Sequence, residues 1–421
     1  MTKIIRGSGG GGQKSPPKPT RAPDTLNSRQ FVTLQDLISE GEIEGFATAS
    51  KEGRTKGTAT YNTAALKDVY LDNTPILNSG ANSASPQATD YNFQDVTFTP
   101  RFGTSDQTHI PGIEQSSSPI SGFPRACTVA NGGVTQQITT TTVDAVRVTI
   151  NFPQLQEAKD NGDLLGASVQ LKIQVQYNSG GYSDVISDTI TGRTSDSYSK
   201  DYRVTIDGAF PVDIKVLRVT ADNQTSKNQT VTQWASYTEI IDEKFRYPNS
   251  ALCYLRFDSR NFSGIPQRRY LVKGLKISLP SNASVDANTG RVTYSGIWDG
   301  SFAAAQWCAD PAWALWDLMT NTRYGASIPE SSLDKWDFYT VSKYCNEVIP
   351  DGKGGHEARF SLNLYMNSRS EVFDAINELS SAFRGMSYYG AGSFVLNQDS
   401  PADSRYSLNP SNVVDGLFTY S

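Results

Sequence analysis

Glu239 and Asp242 in "TEIIDE", with Asp299 in "IWDG", are the carboxylates whose placement could support catalysis. A pair of carboxylates hydrolyses glycosides when they stand about 5 Å or about 6.5–9.5 Å apart. On a strand, Glu239 and Ile241 face one way and Ile240 and Asp242 the other, because successive side chains alternate. The two acids then share no face, and they read as solvated or capping carboxylates. The chain has 2 histidines, His109 in "TSDQTHIPG" and His356 in "PDGKGGHEARF". Both lie in polar turns, with no GxSxG or other nucleophile pattern beside them.

Other chemistry-bearing motifs fall short in the same way. "DANTGRV" (286–292) resembles half a calcium loop, but its glycine comes one position early and the downstream Glu is missing, so it reads as a turn. "GGGGQKS" lacks the Gly-Lys-Ser/Thr run and the preceding strand of a phosphate loop. The 4 cysteines, Cys127, Cys253, Cys308 and Cys345, contain no CxxC and read as free, buried or inert thiols of a reducing compartment. No metal or cofactor is expected. Tryptophan is the exception to a polar sequence: Trp298, Trp307, Trp313, Trp316 and Trp336 crowd one stretch and could stack sugars or bases. Trp316 lies on a helical stripe with Leu315 and Met319, and Trp313 is one turn from it, which favours a core for both. Trp298 is left open between anchoring a loop and facing a partner.

The elements that position these residues divide the chain. Residues 1–25 form a Gly/Pro-rich flexible arm. Phe31, Leu34, Leu37 and Ile38 lie at helical spacing, with Gly41 as the stop. "LKDVYLDNTPIL" reads as two short strands around an Asp-Asn turn, and "DVTFTPRFG" as one strand. From 143 the period becomes two, in "DAVRVTINF", "ASVQLKIQVQY", "YRVTI" and "VDIKVLRVT". That alternation predicts a β-sandwich over 95–225. Further strands follow in 231–259 and 268–282. Asp310-Pro311 starts a helix, with Asp as cap; two more helices are predicted over 333–348 and 370–384, then a hairpin in "MSYYGAGSFVLNQD". The fold class is a β-rich α+β, multidomain chain, divided as 1–25, 26–94, 95–225, 226–300 and 301–421.

Composition agrees with this. Apolar residues are 37% and charged residues 19%, and the net charge is −5. An acidic chain is poorly suited to neutralising phosphates, so direct nucleic-acid binding is not expected. No stretch approaches the ~18 apolar residues of a membrane span.

Seven blocks in order resemble a known family: "LISEGEIEG" (37–45), "VYLDNTPI" (69–76), "WASYTEIIDEKFRYPNSAL" (234–252), "YSGIWDGSF" (294–302), "AWALWDLMTNTRYG" (312–325), "DKWDFYTVSKYCNEVIPDGKGGHEARF" (334–360) and "SNVVDGLFTYS" (411–421). Together they are similar to the N-terminal part of the tail tip, or host specificity, protein J family of lambda-like siphophages. The motif residues to which the resemblance assigns packing or subunit contact are Trp234, Tyr237, Glu239, Asp242, Tyr247 and Pro248. With them go Trp298, Asp299, Gly300, Trp313, Trp316, Arg323, Tyr324, Gly325, Trp336, Asp351 and Gly352.

The resemblance implies a structural virion protein rather than an enzyme. It implies a homotrimeric baseplate hub at the distal end of a non-contractile tail, with an immunoglobulin-like insertion and a small helix–hairpin domain. Such a hub closes the tail tube, meets distal tail, tip and tape-measure proteins, and serves host attachment and genome ejection. Assembly is expected in the host bacterial cytoplasm. The family's receptor-binding part, which contacts the host outer membrane, lies beyond the residues matched, so the chain is expected to be truncated or one piece of a split hub. The alternatives are a tail-delivered polysaccharide or peptidoglycan hydrolase using Glu239, Asp242 or Asp299, and a carbohydrate-binding module using the sandwich.

Overall fold

The computed structural model describes residues 19–418 except 139, 224–226, 368–370, 391 and 402–405. The Gly-rich part of the arm lies outside the described residues. The chain folds as two compact units. The first comprises Met1–Thr33, Thr108–Arg246 and Arg256–Ile265; the second comprises Leu34–Gln107, Tyr247–Leu255 and Pro266–Ser421.

The first unit is built on the period-two segments. One antiparallel sheet runs Ser183–Gly192, Ala167–Tyr177, Val212–Arg218, Val134–Ile138. The other runs Tyr198–Thr205, Ala145–Phe152, Gln233–Asp242, Glu114–Ile120, and Arg125–Ala126 also pairs with Gln233–Asp242. Val146, Val148, Ile150 and Phe152 face Val169, Leu171, Ile173 and Val175 in one shared core, closed by Trp234 and Tyr237. Alternation puts every second residue there, which is why the segments read as half-buried strands. The sandwich runs past the 95–225 interval read from the sequence. Gln233–Asp242 is an inner strand of it, whereas Thr97–Phe102 belongs to the second unit.

The second unit mixes short sheets with five α-helices among the described residues. The helices are α1 (Ala47–Lys51), α2 (Ala59–Ala65), α3 (Pro311–Thr320), α4 (Lys335–Cys345) and α5 (Val372–Ser381). Val69–Leu71 and Thr74–Pro75 form the expected hairpin, with Asp72 and Asn73 both at positive φ (47° and 69°), as an Asp-Asn turn of this type requires. Ile43–Phe46, Val272–Ile277 and Gln306–Trp307 form a three-stranded sheet, and Gly385–Gly390 pairs with Ser393–Gln398. One core gathers Leu279, Val292, Trp298, Trp313, Trp316, Phe338, Leu379 and Phe383.

The helix expected from Phe31, Leu34, Leu37 and Ile38 is instead a strand, Phe31–Glu40. Within it Leu34, Asp36 and Ile38 turn inward while Leu37 is 60% exposed. The deciding residue is polar: Asp36 accepts from Arg268 Nε (2.6 Å) and Nη2 (3.0 Å) and from the Tyr270 hydroxyl (2.5 Å). These bonds hold an inward acid that a helical reading counts as surface. Gly41 still ends the element, at φ 107°. Val348, the last residue of the helix expected over 333–348, lies past α4 in a short strand and is half-exposed.

Candidate functional site

The tryptophan-rich stretch is organised around one buried acid. Asp310 caps α3, its Oδ1 accepting from Trp313 N at 3.0 Å, and Pro311 follows in the first turn. Its Oδ2 accepts from the Ser342 hydroxyl and from Asn346 Nδ2 (2.5 Å), both near the end of α4. Asn346 Oδ1 accepts from Val292 N at 2.8 Å. The Tyr294 hydroxyl accepts from Trp313 Nε1 at 2.7 Å and is bonded to Ser342 Oγ. Asp310 is 1% exposed and among the described residues pairs with no cation; burial pushes its carboxyl pKa up, with the Ser342 bond opposing. The network joins two helices and a hairpin, a structural role rather than a reactive one.

The indoles pack outward from this point. Trp313 and Trp316 are buried, and Phe302 stacks on Trp316 at 5.6 Å between centroids. Trp298, left open from the sequence, is 3% exposed; its Nε1 donates to Ser301 O (2.5 Å) and its ring stacks on Tyr339 at 5.0 Å. Trp336 touches Trp298 at 4.9 Å but stays 47% exposed. Lys335 Nζ lies over both rings and donates to Gly300 O at 2.7 Å. Gly300 sits at φ 85°, and a Cβ there would meet Lys335 Nζ at 2.6 Å. Asp299 accepts from Ser301 N (2.9 Å), Ser301 Oγ and Ser281 Oγ; these bonds, led by Ser301 Oγ, lower its pKa.

A second cluster joins two sequence blocks. Arg323 donates from Nε to Glu40 Oε2 (2.8 Å), from Nη2 to Ser250 Oγ (2.9 Å) and from Nη1 to Pro248 O (3.4 Å). Tyr324 donates its hydroxyl to Asp317 Oδ2 at 2.6 Å. At Gly325 a Cβ would collide with the Leu318 carbonyl oxygen. Tyr247, at φ 47°, offers its carbonyl to Gln107 Nε2 at 2.6 Å. Elsewhere, Asp351 Oδ1 accepts from Lys353 N and Gly355 N, both at 2.8 Å, around Gly352 at φ 73°.

In the first unit, Trp234 Nε1 donates to Ser236 O at 3.0 Å and its ring meets Tyr237 at 5.6 Å. Tyr237 pairs with Val148 and Glu239 with Val146, so both lie on the core-facing side. Asp242, beyond a bulge, is bonded to Arg203 Nη2 (2.5 Å). Arg203 points away from the core between Tyr202 and Val204, so Glu239 and Asp242 stand on opposite faces. Asp299 belongs to the other unit. His109 and His356 join no cluster of potential metal ligands, and no group of three or more His, Cys, Asp or Glu forms one among the described residues. All four cysteines are free, and burial pushes the Cys127 thiol up to about 11 and those of Cys253 and Cys345 up to about 12. Such thiols are poor nucleophiles.

The structure thus places the motif residues in three separate packing clusters and the turn at Asp351 and Gly352, rather than in one cleft. Tyr294, Ser342 and Asn346 are the partners that sequence reasoning missed. Only the Asp310-Pro311 cap signalled that the acid was placed with purpose.

Residues 126–243, nearly the whole sandwich, match the family model "Tip attachment protein J, FNIII-A domain". The tip attachment protein J of Escherichia phage SECphi27 is 33% identical over 425 residues, covering 100% of this chain and 33% of the relative. Over its whole length the chain is similar to tip attachment protein J. The tip attachment protein J of Escherichia phage SECphi4 is 32% identical over 419 residues, covering 98% of this chain and 34% of that protein. The chain therefore spans about a third of the length of these J relatives. Among solved structures, the CBM22-1 xylan-binding domain from Paenibacillus barcinonensis is 9% identical, covering 34% of this chain and 99% of that one. Its TM-score is 0.16, too low to carry an argument.

Proposed function

We propose that this chain is a structural, non-enzymatic part of the tail tip of a non-contractile-tailed phage. The observation that carries the reading is the end-to-end likeness to two tip attachment proteins. In this reading it forms the N-terminal part of a homotrimeric hub, with the fibronectin-like sandwich inserted in a hub-type β domain. The hub closes the tail tube, organises the distal tail, tip and tape-measure proteins, and releases the genome once the host is engaged. Host-receptor contact falls to regions outside this chain, and assembly takes place in the host cytoplasm.

The geometry supports a scaffold. The motif residues are spent on caps, tight turns and core packing, and Glu239 and Asp242 are not presented as a pair. No observation favours the hydrolase or the carbohydrate-binding reading. The test is mass photometry of the purified chain with its tail partners, together with protein identification in purified tails. Trimeric or ring-shaped complexes and presence in the tail tip are expected. A stable monomer absent from purified tails overturns the reading.

A further inference from the structure

A notch of about 270 Å³ opens on the second unit between the strand Val292–Tyr294 and the end of α4, lined by Arg291, Val292, Thr293, Tyr294, Lys343 and Asn346. Its two charged residues are both cations. Arg291 is half-buried and held in place by one bond, Nη1 to Asn346 O at 3.3 Å. Lys343 is exposed, its Nζ 4.2 Å from the centre of the Tyr339 ring. Among the described residues neither forms a salt bridge. Asp286, five residues before Arg291, spends its Oδ1 on Asn288 N, Thr289 N and Thr289 Oγ. Two cationic residues thus line one notch with no carboxylate beside them, in a chain of net charge −5.

We propose that this notch binds a carboxylate side chain of an acidic peptide segment on a partner protein. Arg291 supplies a planar fork suited to a carboxylate, and Lys343 a mobile point charge. Val292 and Tyr294 add apolar contact beside them. Nucleic acid is a poorer fit, because two cations in one notch make no track for successive phosphates. The site is also wired to the core, because Tyr294 and Asn346 each line the notch and hold the Asp310 network. An occupied notch therefore stiffens the joint between α3 and α4. The proposal does not depend on the tail reading.

The test titrates the full chain against a fluorescein-labelled, end-capped peptide of alternating Asp and Glu at low salt, read by anisotropy. Saturable binding is expected, weakened about fivefold by Lys343→Gln and abolished by Arg291→Gln with Lys343→Gln, while Lys343→Arg retains it. Lys343 is on the exposed face of α4, so Lys343→Gln and Lys343→Glu keep the wild-type melting temperature even if the double variant does not. No saturable binding, or binding equal in wild type and Lys343→Glu, overturns the proposal. So does a single-stranded oligonucleotide that binds the same site more tightly than the peptide. Inorganic phosphate that saturates the site at lower concentration than the peptide assigns the notch to a free anion and overturns the peptide partner.

Discussion

Asn346 Nδ2 donates to Asp310 Oδ2 at 2.5 Å across 36 residues, tying the end of α4 to the start of α3. The same carboxylate caps α3 through Trp313 N. One acid therefore serves as a helix cap and as the link between two helices. Asp310→Ala leaves the Trp313 amide without its acceptor and takes one acceptor from the Ser342 hydroxyl and one from the Asn346 amide, which keep the Tyr294 hydroxyl and Ser342 O. The expected cost is about 2–3 kcal/mol, measured by urea unfolding of the second unit. Asp334, the exposed cap of α4 through Trp336 N, is the control: Asp334→Ala should cost about 1 kcal/mol.

Burial raises the Asp310 pKa above its ordinary value of 3.8. Between those two values the folded state holds the proton more often than the unfolded state does. Stability from this group therefore falls as pH rises through that window, and it recovers on acidification toward 3.8. Asp36 and Asp188, whose pKa values are lowered despite burial by bonds from Arg268 and Lys200, act in the opposite direction. Comparing wild type with Asp310→Asn cancels those opposing groups. The stability advantage of wild type should grow as pH falls toward 3.8 and shrink toward neutrality. A difference that is flat with pH would remove Asp310 from the titration.

Trp298 and Trp336 touch, yet their substitutions should separate folding from association. Trp298 is 3% exposed and stacked on Tyr339, so Trp298→Ala should cost about 3–5 kcal/mol in unfolding experiments. Trp336 is 47% exposed, and Trp336→Ala should leave the unfolding midpoint within about 1 kcal/mol of wild type. Any loss of complex formation in mass photometry should then follow Trp336, not Trp298.

The sandwich strands were legible because one face of each is buried, and burial on one face imposes a period of two. The α3 cap was legible because Asp-Pro is a local signal. Phe31–Glu40 was misread for a physical reason: its inward face carries Asp36, whose partners Arg268 and Tyr270 are more than two hundred residues away. The same holds for the partners of Asp310, which lie 32 and 36 residues downstream. The cluster of Arg323 with Pro248 and Ser250 spans 75 and 73 residues. Local pattern reports which residues are buried; long-range bonds decide what a polar residue does there.

Tyr237 poses the sharpest case of that limit. Glu239, two residues on, is 6% exposed and stands opposite Val146 on the same core-facing side of the strand. The Tyr237 hydroxyl is buried without a partner among the described residues. A hydroxyl group in such a place has lost water and gained nothing in return, which costs stability. Tyr237→Phe should therefore stabilise the first unit, by about 1 kcal/mol in urea unfolding with the slope unchanged. A destabilised Tyr237→Phe would mean that the hydroxyl group is satisfied in solution, by water or by a partner chain. Repeating the measurement on the assembled complex separates the two, because only a partner makes the loss larger there.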